Sequence, residues 1–492
     1  MAHQGHKDRL SAVDASFLAQ EKQSSHMHVG ALVIFDGPAP SREEFEAHLR
    51  ARLPRVPRYR QKLAFPRLEA GRPFWVDDPN FNLDYHVRHT ALPKPGSEEQ
   101  LRALAGRIFS QRLDRSKPLW EVWIVHGLEG GRFALISKTH HALVDGVAGV
   151  DIATVLFDLT PVPDELDGDD DWRPEPEPSD VDLVAEGVKG LVRTPFSLAG
   201  RAVGALQRPA ETLERVREAA EGLGEVVWAG LNPAPDVPLN VEIGPHRRVR
   251  WVQSRLSDFK EVKNSLGGTV NDAVLAVVSG ALRRWLQDRG VRTDGVELRA
   301  LVPVSIRAEA ERGALGNRIA AMRGPLPVYV DDPVERLRVV REAMGQLKES
   351  KQALGAEVIA GLNEFAPPTL LAQASRLNFS TRLFNLIVTN VPGPQFPLYL
   401  LGREMQEIVP IAFLPEHHAL AVAIMSYNGK VDFGLLADYD AMPDIDPFAS
   451  HLEESLAELL GAARASAKVS AKSNGRNKDG TPGSARKKTT TS

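Results

Sequence analysis

From Arg132 to Lys138 the chain alternates: Phe133, Leu135 and Ser137 fall to one side, Ala134, Ile136 and Lys138 to the other, the period-two signature of a strand. Glu121 to Leu128 alternates as well, and Glu129-Gly130-Gly131 supplies a turn between the two runs. The pair therefore predicts a hairpin that ends at His140 and His141. Val147 to Phe157 then suits a buried helix, so the histidines stand where a strand gives way to a helix.

Further strands are predicted over Val29 to Phe35, Arg247 to Leu256, Leu298 to Ile306 and Asn385 to Asn390. Leu420 to Tyr427 and Val431 to Ala437 flank Asn428-Gly429, the strongest short hairpin signal. Ser41 caps a helix with Glu44 at its third position, a capping box, and Leu49 and Leu53 continue its apolar face. Ser97 to Leu113 and Pro447 to Ala463 read as helices. Thr269 caps another with Asp272 at its third position, and Val274, Val277, Val278, Ala281, Leu282 and Trp285 form its face. Asp84 to Arg88 reads as a short strand with His86 and His89 on the surface.

These patterns divide the chain. Residues 8–160 form one α/β unit. Residues 161–240 connect, opening on a linker with five prolines between Pro161 and Pro178 and the acidic run 164–171. Helical periodicity over Asp180 to Gly230 is broken at Pro195 and Pro209, and reads as helices packed over the interdomain surface or meeting a lipid surface. Residues 241–463 form a second α/β unit, and 464–492 a disordered basic tail with seven Lys or Arg from Ser466 onward against one acid.

Composition changes this picture little. The chain has 492 residues, enough for two domains, with 43% hydrophobic and 25% charged residues. The absence of cysteine excludes disulfides, thiolate nucleophiles and cysteine-bound zinc. Met1 to Lys7 is polar, without a signal-peptide core, and no stretch reaches the roughly 18 apolar residues of a membrane span. The net charge of −4 is unevenly spread, and the basic tail suits contact with anionic lipid headgroups or simple solvation. There is no phosphate loop or dinucleotide fingerprint, and His246-Arg247-Arg248 is too short to argue for nucleic acid.

The candidate chemistry lies in Lys138-Thr139-His140-His141-Ala142-Leu143-Val144-Asp145-Gly146. Imidazole moves protons near neutral pH, and a histidine in a closed pocket takes the proton of a hydroxyl as it attacks an acyl carbon. Asp145 fixes the loop or orients a histidine, and Gly146 allows a close backbone approach. The plainer alternative is a turn whose histidines satisfy nearby backbone groups. No third ligand at a familiar spacing points to a metal. Asn271 either starts its helix or places an amide by an oxyanion. A second pair, His417-His418, lacks the aspartate and glycine offsets and reads as structural.

The run H-H-x-x-x-D-G resembles the signature of the CoA-dependent acyltransferase superfamily. Leu10 to Leu18, Met27-His28-Val29-Gly30, Pro118-Leu119-Trp120 and Asn271 to Ala276 are similar to blocks of the bacterial wax ester synthase/diacylglycerol acyltransferase family. So are Val302 to Arg307, Gly316-Asn317, Asn390 to Pro394 and Ser426 to Gly429, in the family's order over about residues 8 to 460. The resemblance implies two chloramphenicol-acetyltransferase-like domains, each a mixed β-sheet covered by helices, with an active-site tunnel between them. It implies transfer of a fatty acyl group from acyl-CoA, a substrate rather than a cofactor, to diacylglycerol or a long-chain alcohol. His141 is then the general base, His140 its support, and Asp145 a structural residue paired with an arginine, for which Arg307 is a candidate. A cytoplasmic enzyme that touches a membrane or lipid droplet peripherally fits the expected lack of a signal-peptide core and of a membrane span. A condensation-type acyltransferase of natural-product synthesis and an inactive lipid-droplet-binding homologue are the alternatives.

Overall fold

Gly130 and Gly131, with φ of 79° and 73°, turn the chain where a side chain would be strained. They join β6 (Trp120–Leu128) to β7 (Arg132–His140) as an antiparallel pair. The computed structural model describes residues 8–66, 72–144, 155–163, 172–179, 232–305, 319–349 and 380–476. Asp145, Gly146, Arg307, the helices expected between Asp180 and Gly230, and residues 477–492 lie outside the described residues.

In chain order the first half supplies β1 (Asp8–Arg9), α1 (Ala12–Gln20), β2 (His28–Phe35), α2 (Arg42–Arg52), β3 (Gln61–Ala64), β4 (Phe74–Asp77), α3 (Leu83–His86), β5 (Val87–Ala91) and α4 (Glu98–Phe109), then β6 and β7. The second half supplies β8 (Arg247–Arg255), α5 (Leu256–Leu266), α6 (Val270–Asp288), β9 (Leu298–Ser305), β10 (Ile319–Leu326), α7 (Pro333–Glu349) and β11 (Leu386–Pro392). β12 (Tyr399–Leu400), β13 (Arg403–Ile411), β14 (Leu420–Tyr427), β15 (Lys430–Asp438) and α8 (Ile445–Arg476) complete it. Both expected capping boxes form, Ser41 with Glu44 on α2 and Thr269 with Asp272 on α6.

Two mixed six-stranded sheets result, ordered β12-β13-β2-β7-β6-β5 and β10-β9-β11-β14-β15-β8, with a small sheet β1-β4-β3 beside them. The first contains a late arrival. β13 pairs with β2 from Met405↔Phe35 to Ile411↔Gly30, so a strand from the range assigned to the second unit closes the sheet of the first. Alternation divides the sheet's side chains between two cores. Val33, Phe35, Phe133 and Leu135 meet Phe45 and Leu49 of α2. Leu32, Ile34, Ala134 and Ile136 join a larger core with Leu101 and Ile108 of α4, Trp251 of β8 and the apolar face of α6.

The halves meet at two glycines. A Cβ on Gly434 of β15 would stand 1.8 Å from the carbonyl oxygen of Pro410 in β13, and one on Gly106 of α4 would stand 2.7 Å from that of Arg247. Arg247 is buried there. Its guanidinium donates to the Gly244 and His246 carbonyls at 2.7 and 2.9 Å and to that of Ser24, with Asp438 at 3.6 Å. The basic triplet thus contributes a clasp between the halves.

Two sequence expectations are corrected. His86 is not a surface residue: it is buried, its Nδ1 is 2.8 Å from the Trp120 carbonyl, and its ring stacks on Trp120 at 4.5 Å. It lies on the short helix α3, and the strand begins only at Val87. The basic tail is not irregular from residue 464, because α8 runs on to Arg476. Its alanines and lysines are strong helix formers and extend a helix already anchored in the core. Among the described residues no single helix is long and apolar enough to cross a membrane.

Candidate active site

β7 places Lys138 and His140 on one face, as period two requires. The wholly buried Lys138 ammonium donates to the carbonyls of Ile108 and Gln111, each at 3.1 Å, and lies 3.4 Å from Glu121. It therefore neutralises the carbonyl end of α4, where a cation is favoured. Burial pushes Lys138 below the usual lysine range, and Glu121 opposes that shift.

At His140 the strand becomes a single 3-10 turn, His141–Leu143. The Ala142 N–H donates to His140 Nδ1 at 3.0 Å, so a neutral His140 carries its proton on Nε2. The His141 N–H donates to the Met27 carbonyl at 2.9 Å, which ties the turn to the segment entering β2. Met27 itself takes a left-handed φ of 51°. His28, first residue of β2, is the cross-strand partner of His140, their ring centroids 5.9 Å apart.

The His141 imidazole sits between aromatic rings. Phe17 of α1 stacks on it at 4.0 Å with planes 25° apart, and Phe413 meets it edge-on at 5.4 Å. Its Nδ1 is buried without a full hydrogen bond, while the residue as a whole stays partly exposed. Burial pushes its pKa down to about 4, and its own backbone carbonyl partly offsets this by favouring the charged ring. His140 is pushed down to about 3, by burial first and then by Arg115, His141 and Arg112. His26 is lowered to about 4 by burial and then Arg247, and His28 falls well below its ordinary value through burial and then Lys138. These shifts favour the neutral form of all four rings at pH 7, which leaves each with one ring nitrogen that accepts.

Phe413 comes from the distant half, on the loop after β13. That loop is held to the loop before β2 by Ser25 Oγ donating to the Leu414 carbonyl at 2.8 Å and by the Lys22–Glu416 ion pair at 2.6 Å. The closure of the first sheet by β13 is what brings the aromatic wall to the histidine.

Asn271 stands in the first turn of α6, and its Oδ1 accepts from Asn390 Nδ2 of β11 at 3.2 Å. Its neighbour Asp272 is engaged in the capping box. His418 is buried, stacked on Phe384 at 4.4 Å, with its ring nitrogens 2.8 and 3.1 Å from the Glu416 and Phe384 carbonyls. An open groove of about 490 Å3 lies where β8 ends beside the β14–β15 turn, lined by Arg255, Ser257, Asn428 and Lys430 among others, and none of the histidines lines it. Among the described residues no three His, Asp or Glu side chains are grouped to hold a metal ion.

The sequence reading missed the places of Phe17, His28 and Phe413 in the site. A signal existed for the first two, which lie in the blocks that carried the family resemblance. Nothing local marks Phe413.

Two mixed sheets joined across one seam, with a histidine turn at the end of a central strand, define the chloramphenicol-acetyltransferase-like class of fold. Residues 10–274 match the wax ester synthase/diacylglycerol acyltransferase catalytic domain, and residues 315–460 the WS/DGAT C-terminal domain. The chain belongs to the wax ester synthase/diacylglycerol acyltransferase family. It is 32% identical to the probable diacylglycerol O-acyltransferase tgs1 of Mycobacterium tuberculosis, over 93% of this chain and 96% of that one. The corresponding figures for tgs2 of the same organism are 34%, 92% and 98%. Among solved structures, the wax ester synthase/diacylglycerol acyltransferase of Marinobacter aquaeolei VT8 superposes with a TM-score of 0.64 at 28% identity, over 92% of this chain and 99% of that one. The starter condensation domain of rhizomide synthetase, at 13% identity and a TM-score of 0.56, covers 93% of this chain and 95% of its own, and shares the fold alone.

Proposed function

We propose that this chain is an O-acyltransferase that moves a fatty acyl group from acyl-CoA to the hydroxyl of diacylglycerol or of a long-chain alcohol. The observation that carries the reading is the neutral His141 imidazole, caged by Phe17 and Phe413 at the end of β7. His141 takes the hydroxyl proton as the oxygen attacks the thioester carbonyl. A tetrahedral intermediate collapses, the carbon–sulfur bond breaks, and the protonated ring returns its proton to the CoA thiolate. Acyl donor and acceptor are held together, so no covalent acyl-enzyme is needed.

Aromatic walls exclude water, the competing acceptor that would waste the thioester. In this reading the two substrates reach the ring through a tunnel between the halves. His140 shapes the turn, Asp145 and Gly146 hold the loop that follows, and the Asn271 amide stabilises the oxyanion. Exposed apolar side chains on the segment after Asn390, Val391 and Phe396, suit peripheral contact with a membrane or droplet surface.

The test is an assay of the purified full chain with palmitoyl-CoA and a panel of acceptors: diacylglycerol, hexadecanol and a carrier-bound amine. Triacylglycerol or wax ester formed by the native chain and lost in His141→Ala, with folding unchanged, supports the proposal. Turnover retained in that variant, or acylation of the carrier-bound amine alone, refutes it.

A further inference from the structure

The last turn of α1 reaches both histidines of the motif. Phe17 stacks on His141, and Glu21, one turn later, donates its backbone N–H to the Phe17 carbonyl at 3.1 Å. The Glu21 side chain is 1% exposed, a rare setting for a carboxylate unless it is paired. Here it is paired. Arg115 Nε donates to it at 2.6 Å and Arg112 Nε at 3.3 Å, and Arg115 also donates to the Leu18 carbonyl at 2.8 Å.

Two imidazoles face the same carboxylate. His140 Nε2 is 3.7 Å from one Glu21 oxygen and His28 Nε2 is 3.9 Å from the other. Neither ring nitrogen has a hydrogen-bond partner, and both are buried. His140 Nδ1 is already occupied by the Ala142 N–H, so the proton on Nε2 is directed at Glu21.

We propose that Glu21 is a positioning residue for acyl transfer, acting through His140. Its carboxylate, 3.7 Å from His140 Nε2, favours the tautomer that carries the proton there, which leaves Nδ1 to accept from Ala142 and so sets the turn that aims His141 between Phe17 and Phe413. The inference rests on the acyltransferase reading above and adds a residue that touches neither substrate. The titratable and charged groups facing this site are Arg112 and Arg115 from the segment after α4, His28 from β2 and His141 from the turn, with Lys138 of β7, its partner Glu121 of β6, and His26 behind His28. Glu21 is the carboxylate in contact with both Arg112 and Arg115, and it balances those two guanidinium groups beside His140.

That balance makes a signed prediction. Removing the negative charge leaves two cations unopposed, which disfavours a protonated histidine. Removing one cation does the reverse. The acid limb of the pH dependence of kcat/KM for palmitoyl-CoA should therefore move by about half a pH unit or more, downward in Glu21→Gln and upward in Arg115→Gln. In Glu21→Gln kcat should fall by about tenfold or more while KM for palmitoyl-CoA stays within about twofold. Glu21→Asp, which keeps the charge, should hold the limb in place and recover part of kcat.

The full-length native chain is assayed first. If it transfers no acyl group, the acyltransferase reading fails and this inference falls with it. If it is active but both substitutions leave the limb unmoved, only the role of Glu21 is overturned. Should Glu21→Gln not fold, Arg115→Gln decides: an upward shift supports the proposal, and an unmoved or lowered limb overturns it.

Discussion

The ring of Phe17 lies 4.0 Å from the ring of His141, stacked within 25° of parallel. The two residues stand on different elements, α1 and the turn after β7, so the contact fixes the imidazole from outside its own loop. Aromatic pairs of this kind contribute about 0.5–1.5 kcal/mol beyond the area they bury. The contact therefore orders the ring more than it stabilises the chain.

Phe17→Leu should keep the fold and lower kcat by about tenfold, since a base misplaced by an ångström loses much of its rate. Steady-state kinetics together with a melting curve separate the two effects. A variant with native kcat would show that the stack is not needed.

Acid should loosen the molecule. His26, His28, His140 and His141 all have pKa values lowered on folding, so the unfolded chain binds more protons below its ordinary histidine range. Their contribution is complete above about pH 6.5 and is lost as pH falls, toward about 4 for His26 and His141 and about 3 for His140, each adding a slope of about 1.4 kcal/mol per pH unit. Asp432, pushed up to about 7 by burial, works in the opposite direction between about 4 and 7 and offsets one of the four. Urea midpoints should drop between pH 7 and pH 5; a constant midpoint would contradict the buried neutral cluster.

Asp158 pairs with Arg52 of α2 at 2.5 Å, both side chains almost wholly buried, and its backbone bridges to Tyr399 of β12. Asp158→Ala leaves the guanidinium buried without its counter-charge and should cost about 3–5 kcal/mol. Replacing both residues by apolar ones should recover most of that loss. Chemical denaturation of the single and double variants checks both outcomes.

Gly434→Ala drives a methyl group into the Pro410 carbonyl. The strands on either side belong to different sheets, and overpacking of this kind costs about 1–3 kcal/mol or more. The melting temperature should fall by several degrees, and a variant that melts with the native chain would mean that the seam yields.

Much of this was legible in the sequence. The capping boxes at Ser41 and Thr269, the hairpin turning at Gly130-Gly131 and the Asn428-Gly429 turn are local signals, set by hydrogen bonds within a few residues. His140 and His141 follow from the hairpin that carries them. What stayed hidden depends on pairing across hundreds of residues. Nothing in the alternation of 403–411 says that its neighbour is β2 rather than a strand nearby in sequence. Glu21 reads as an ordinary helix-end acid until Arg112, Arg115, His28 and His140 fold around it. His86 looked exposed because its stacking partner, Trp120, lies 34 residues away.

The strand that closes the first sheet is made late. Until the ribosome has delivered Arg403–Ile411, the free edge of β2 has no neighbour on that side, and Phe413 has yet to emerge. An unpaired edge invites pairing with another chain. Truncated products that stop before residue 403 should therefore clump, because the edge that β13 covers stays open in them.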